Sequence, residues 1–158
     1  IINYIRRVNK KGGVVMTYTA RDIAKYIISY CFVRNTPISN LKLQKMLYYV
    51  WIDYYKRRQV ELFLDDICAW QLGPVVPEIY YEFCSYAGRP IMREYDTQID
   101  QSDVQLIDSI IDSYRPLSAR ALVDRSHEKG KPWDLIYRNG LGNRDIIPFS
   151  LIKAKECA

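Results

Sequence analysis

The stretch LVDRSHEKGKPW, residues 122–133, holds the one histidine of the chain with an acid and a hydroxyl close by. His127, Asp124 and Ser126 are the residue types of nucleophilic hydrolysis, in which a base takes a hydroxyl proton and an acid orients the base. Such groups converge in space from separate elements far more often than from adjacent positions. His127 also falls at the end of a helical pattern, where a positive or donating side chain serves the free carbonyls of the last turn. That structural role is the preferred reading, with an enzyme using His127 kept as an alternative.

The other reactive groups are scattered. Asp65 and Asp66 are adjacent, and adjacent residues on a strand point to opposite faces, so a solvated turn is the expectation. Glu78 and Glu82 lie one helical turn apart, but no His or Asp completes a ligand set. Cys31, Cys68, Cys84 and Cys157 form no CxxC pair and stand near no second histidine, which argues against zinc. They read as reduced, mostly buried thiols of a cytoplasmic protein. Gly12-Gly13 lacks the spacing of a phosphate loop, and Gly140-Leu141-Gly142 follows a helix rather than opening one. No cofactor is expected.

The elements that must hold these residues are helical. Thr19-Ala20-Arg21-Asp22 resembles a capping box, and Ile23, Ala24, Ile27, Ile28, Cys31 and Phe32 follow at helical spacing. Asn35-Thr36-Pro37 stops that helix, and Ser39 or Asn40 caps a second one running to about residue 59. Leu43, Met46, Leu47, Val50 and Tyr54 make one stripe of it, yet Tyr48, Tyr49, Ile52 and Tyr55 lie around the other side. A surface helix has a polar back. This one is either central or covered by a partner. Residues 66–70 read as a short strand, and Pro77 suits the first position of a helix. Residues 88–101 are a polar connector. Ser102-Asp103-Val104-Gln105 is a capping-box pattern, Ser118 caps a shorter helix, and Lys131-Pro132-Trp133 opens another. The expected fold is mainly α, a single helical domain with one small β-element.

At 158 residues one domain is expected, and a chain of that length buries roughly 68–70% of its unfolded surface. No apolar run is long enough to span a bilayer, and no export signal is read at the N-terminus. The net charge is +5, and Arg6, Arg7, Lys10 and Lys11 supply four of those charges without a compensating acid. The body of the chain is thus nearly neutral, which weakens a nucleic-acid reading. Residues 1–15 are read as a basic extension, and residues 16–158 as the domain. Lys11-Gly12-Gly13 before Met16 is what a purine-rich ribosome-binding site gives when translated in frame, so Met16 is the expected natural start. A real basic arm touching RNA, DNA or membrane is the alternative.

Aromatic residues concentrate in two places: Tyr48, Tyr49, Trp51, Tyr54 and Tyr55 on the second helix, and Trp70, Tyr80, Tyr81 and Phe83 in AWQLGPVVPEIYYEF, residues 69–83. A domain of this size would struggle to hide all of them, and exposed Tyr and Trp mark binding hot spots. Gly73-Pro74 fixes a turn and Pro77 presets the next helix, so the corner is rigid before a partner arrives. The same stiffness would serve packing alone.

Three blocks in order, LKLQKMLYYV (residues 41–50), AWQLGPVVPEIYYEF (69–83) and LVDRSHEKGKPW (122–133), are similar to the Panacea domain family, which includes SocA-like antitoxins and the phage-associated GepA proteins of prophages. The resemblance runs from Tyr18 to the C-terminus. Its signature falls on Leu43, Lys45, Tyr48 and Tyr49, on Trp70, Gly73, Pro74, Val75, Pro77 and Tyr80, and on His127, Pro132 and Trp133. Met46 stands where Leu is commoner. The resemblance implies a non-enzymatic antitoxin that neutralises a cognate toxin, encoded nearby, by direct contact. It also implies an alternative, in which the chain is an adaptor delivering the toxin to an ATP-dependent protease.

Overall fold

A computed structural model describes residues 5–8 and 12–158. Residues 1–4 and 9–11 of the basic extension lie outside the described residues. Within it, β1 (Ile5–Val8) pairs antiparallel with β2 (Val14–Thr17), Arg6 opposite Met16.

Seven α-helices follow among the described residues: α1 (Ala20–Val33), α2 (Asn40–Arg58), α3 (Pro77–Glu82), α4 (Gln101–Tyr114), α5 (Ala119–Ser126), α6 (Pro132–Tyr137) and α7 (Phe149–Glu156). A second hairpin, β3 (Cys68–Trp70) and β4 (Gly73–Val75), sits between α2 and α3. The mainly helical class expected from the sequence is the class observed. The strand expected over residues 66–70 begins two residues later, at Cys68, and its partner β4 was not anticipated because Gly73-Pro74 reads as a turn.

Local chemistry sets most boundaries. Thr19 and Asp22 form the reciprocal capping box of α1, and Asp65 adds a second acceptor by taking the Ala20 N–H at 2.9 Å. This is a structural task for half of the adjacent acid pair. Ser39 caps α2 and accepts from Lys42 N, while Gln59 ends it in the left-handed conformation. α4 starts at Gln101 with Asp100 as cap, so the Ser102 capping-box expectation is displaced by two residues. Asp100 both reaches the Ser102 N–H and accepts from its hydroxyl, so the stronger acceptor takes the cap.

α2 is the axis of the fold. It packs against α1, α3, α4, α5, α7 and β4. Leu43 through Ile52 and Tyr54 are all buried, so of the two readings of its aromatic surface the central one holds. The abundance of tyrosine follows from how the helices are joined. Tyr18 and Tyr54 both donate to buried Asp103, at 2.8 and 3.0 Å, Tyr26 donates to Asp108, Tyr30 to Asp112 and Tyr114 to Asp53. Each ring fills apolar space and each hydroxyl finds an acceptor, as a buried phenol requires. Burial and the facing carboxylates push these hydroxyls to higher pKa, that of Tyr30 to about 12.

Candidate functional site

The N-terminal half of α2 lies along the open side of β4 and meets it with side chains. Lys45 Nζ donates to the Pro74 carbonyl at 2.8 Å. The Gln44 carbonyl oxygen accepts the Val76 N–H at 2.9 Å, and its amide nitrogen donates to Asn40 Oδ1 at 3.0 Å. Asn40 Nδ2 in turn donates to the Tyr80 carbonyl in α3 at 3.0 Å. Pro74 has no N–H to satisfy, which suits the outer edge of a hairpin. Helix, hairpin and α3 are thereby joined by a run of polar contacts.

The other side of the hairpin is closed by backbone. Ala69 N donates to the Asp145 carbonyl, Arg144 N to the Ala69 carbonyl and Ile147 N to the Ile67 carbonyl, at 2.7–2.8 Å. Residues 144–147 thus lie as a third extended segment beside β3, with a bridge between Cys68 and Ile146.

Lys45 is fully buried, and desolvation draws its pKa from 10.5 down to about 7. Gly73 makes room for it. A Cβ on Gly73 would stand 2.6 Å from Ser126 Oγ and 2.8 Å from Lys45 Cε, and φ of +107° would strain any side chain there. This accounts for the glycine at that position.

His127 ends α5 as expected, and its backbone N–H serves the Val123 and Asp124 carbonyls, but its side chain does not. Its imidazole stacks on Trp133 with centroids 3.6 Å apart, and Nε2 is buried with no hydrogen-bond partner among the described residues. Burial, reinforced by the nearby Lys45 charge, lowers its pKa. Ser126 Oγ donates to the Val123 carbonyl, and Asp124 pairs with Arg120 on an exposed face. Neither side chain hydrogen-bonds the His127 imidazole, so the three make no hydrolytic relay. Glu82 is held by Arg21 and Lys25. No group of three or more potential metal ligands occurs among the described residues. No helix among them is long and apolar enough to cross a membrane.

Trp133 links this interior cluster to the surface, because its Nε1 donates to the Trp70 carbonyl at 2.7 Å. Trp70 ends β3, half-buried, with Tyr80 edge-on at 4.9 Å, Tyr81 at 5.8 Å and the Arg144 guanidinium 4.7 Å from its ring centre. Beside it opens a mainly apolar cavity of about 310 Å³, lined by Leu41, Gln44, Trp70, Leu72, Tyr80 and Cys84 among others. Leu72 and Tyr81 are each about half exposed, at 52% and 53%. The corner is therefore an apolar hollow with aromatic walls, resting on the polar run from α2.

The signature residues separate by depth. Leu43, Lys45, Tyr48, Tyr49, Gly73, Pro74, Val75, Pro132 and Trp133 are buried; Lys45, Gly73, Pro74 and Trp133 hold the corner from beneath, while Tyr48 reaches Glu156 and Tyr49 stacks on Tyr114. Trp70, Pro77, Tyr80 and His127 reach the surface in part. The exposed Leu72 and Arg144 and the buried Gln44 were not singled out in the sequence, and the buried Asn40 was named only as a candidate helix cap. Leu72, an apolar residue in a tight turn between Trp70 and Gly73, was the available signal; Arg144 left none.

Residues 43–134 match the family model described as Antitoxin SocA-like, Panacea domain. Antitoxin SocA of Caulobacter vibrioides (strain NA1000 / CB15N) is 30% identical over 136 residues, which cover 78% of this chain and 72% of that protein. No solved structure is a significant match. The matched span takes in the α2 clamp, the hairpin, the Trp70 corner and the His127–Trp133 stack, and the chain belongs to the SocA-like antitoxin, Panacea domain family.

Proposed function

We propose that the chain is the antitoxin of a toxin–antitoxin pair and neutralises its toxin by direct binding at the Trp70 corner. The observation that carries this reading is the cavity beside Trp70. It is mainly apolar, half-exposed Leu72 lines it, half-exposed Tyr81 packs on the Trp70 ring that forms its wall, and rigid elements frame it. Aromatic anchors around a preformed hollow are the usual centre of a tight protein interface, and preorganisation reduces the ordering cost of association. The aromatics of α2 support this surface from within rather than forming part of it. The toxin is expected to be encoded beside this chain.

The test is co-expression with the products of the adjacent genes, scored by growth and by co-purification. A toxic neighbour that co-purifies at equal stoichiometry and is neutralised supports the reading. Survival without any complex would end it. Delivery to an ATP-dependent protease is distinguished by toxin half-life, which binding alone leaves unchanged or lengthens.

A further inference from the structure

Beyond the matched span, residues 138–147 form a loop with three unusual backbone positions. Arg138, Asn139 and Arg144 have positive φ, at 47°, 55° and 74°. L-residues enter this region at a cost that glycine avoids, and such strain persists where the surroundings impose it. The loop is held firmly. Gly142 N donates to the Tyr137 carbonyl, and a Cβ on Gly142 would overlap the Ile136 carbonyl oxygen at 1.8 Å.

Arg144 is the informative position. Its backbone N–H pairs with the Ala69 carbonyl, and any residue but proline would make that bond. Glycine would make it without strain. The residue present is instead one whose guanidinium lies over Trp70 and donates to the Tyr81 hydroxyl at 3.4 Å. Arg144 has no carboxylate within ion-pair distance among the described residues, while its neighbour Asp145 faces Arg138. The corner thus carries a cation with no acid to match it, and a guanidinium presented on an aromatic face is suited to a planar carboxylate.

We infer that the 138–147 loop selects which toxin the family's shared corner accepts, by offering Arg144 to a carboxylate of the toxin that flanks an apolar side chain seated beside Trp70. This rests on the antitoxin reading above. The occupant is a toxin segment with one aliphatic or aromatic anchor and an Asp, Glu or chain-terminal carboxylate close to it. The corner supplies the apolar contact, and the loop, outside the span that the family model matches, supplies the discrimination.

The test compares Arg144→Gly, Arg144→Lys and Arg144→Glu with the unaltered chain, measuring affinity for the purified toxic product of the adjacent gene by calorimetry and stability by thermal unfolding. Arg144→Gly removes the guanidinium and the strain together, so stability holds or rises while affinity falls by at least about tenfold. Arg144→Lys keeps the charge without the planar fork and falls between. Arg144→Glu loses most, and an acid-to-Arg change at the matching toxin position restores it. If the unaltered chain binds this toxin and all three variants bind it equally, the loop inference is overturned and the antitoxin reading stands. If the unaltered chain binds none of the adjacent products, the antitoxin reading falls and takes the inference with it.

Discussion

In the seam between α1, α2 and α4, the phenols of Tyr18, Tyr26, Tyr30, Tyr54 and Tyr114 end on aspartates. At the Trp70 corner, Tyr80 packs edge-on with Trp70 and with Tyr81, Tyr81 lies tilted against Trp70, and neither tyrosine has a carboxylate partner among the described residues. One residue type thus serves two ends. Where an acid is supplied, the ring is a strut whose hydroxyl is spoken for. On the proposed function, Tyr80 and Tyr81, which lack one, are left for the toxin; buried Tyr49, whose hydroxyl has no partner among the described residues, belongs to the scaffold by packing alone.

The largest break in this comparison is at Asp103. It is 1% exposed and accepts from Tyr18, Tyr54 and Arg58, so Asp103→Ala strands two phenols and a guanidinium. A loss of about 3–5 kcal/mol is expected, read by urea unfolding. Gly73→Ala comes next. With φ of +107° and Lys45 and Ser126 in the way, it should cost at least about 2 kcal/mol in the same measurement and weaken toxin binding by disturbing the corner. Tyr81→Ala reverses the pattern. Stability should move by less than about 0.5 kcal/mol, as at other surface positions. Toxin affinity, measured by calorimetry, should fall by about 1–2 kcal/mol. A Tyr81 variant that unfolds, or binds unchanged, would erase the distinction between the two tyrosine sets. Tyr26→Phe should remove only one hydrogen bond, about 1 kcal/mol, with toxin affinity unaltered.

A pH test sharpens the role of Lys45 where α2 meets β4. The buried Lys45 has its pKa lowered from 10.5 to about 7 by desolvation. Across that window the unfolded chain holds a proton that the folded chain has released, so this group makes stability rise with pH between about 7 and 10.5 and leaves it flat below. The difference in unfolding free energy between the unaltered chain and Lys45→Met isolates this contribution from all other titrations. It should grow from about pH 7.5 to 9 and stay constant from about pH 5.5 to 6.5.

Much of the scaffold was legible because its signals are local. The Thr19 capping box, the Ser39 cap and Pro77 at a helix start each act within one turn of chain, and each element begins where they indicate. At α4 two acceptors compete within a few residues, and only their geometry shows that Asp100 prevails over Ser102. The family was legible from three ordered blocks, but the depth of each block was not. A lysine in LKLQK reads as solvent-facing, and it is buried only because β4 places a carbonyl above it, 29 positions along the chain. His127 reads as a helix-ending donor, and Trp133 claims its ring instead. Arg144 gave no signal at all, since its place beside Trp70 follows from the pairing of residues 144–147 with β3.

The hairpin beneath the corner has both outer rows of backbone groups occupied, one by residues 144–147 and the other by Gln44 and Lys45. A sheet sealed in this way offers no template to an incoming strand. Recognition by strand addition, in which main-chain bonds supply affinity almost regardless of sequence, is closed to it. A partner has to be read through side chains on a fixed frame. With the corner as the toxin-binding surface, as proposed, retargeting takes a few substitutions around it and no rebuilding of the fold, so new opponents could be met one residue at a time.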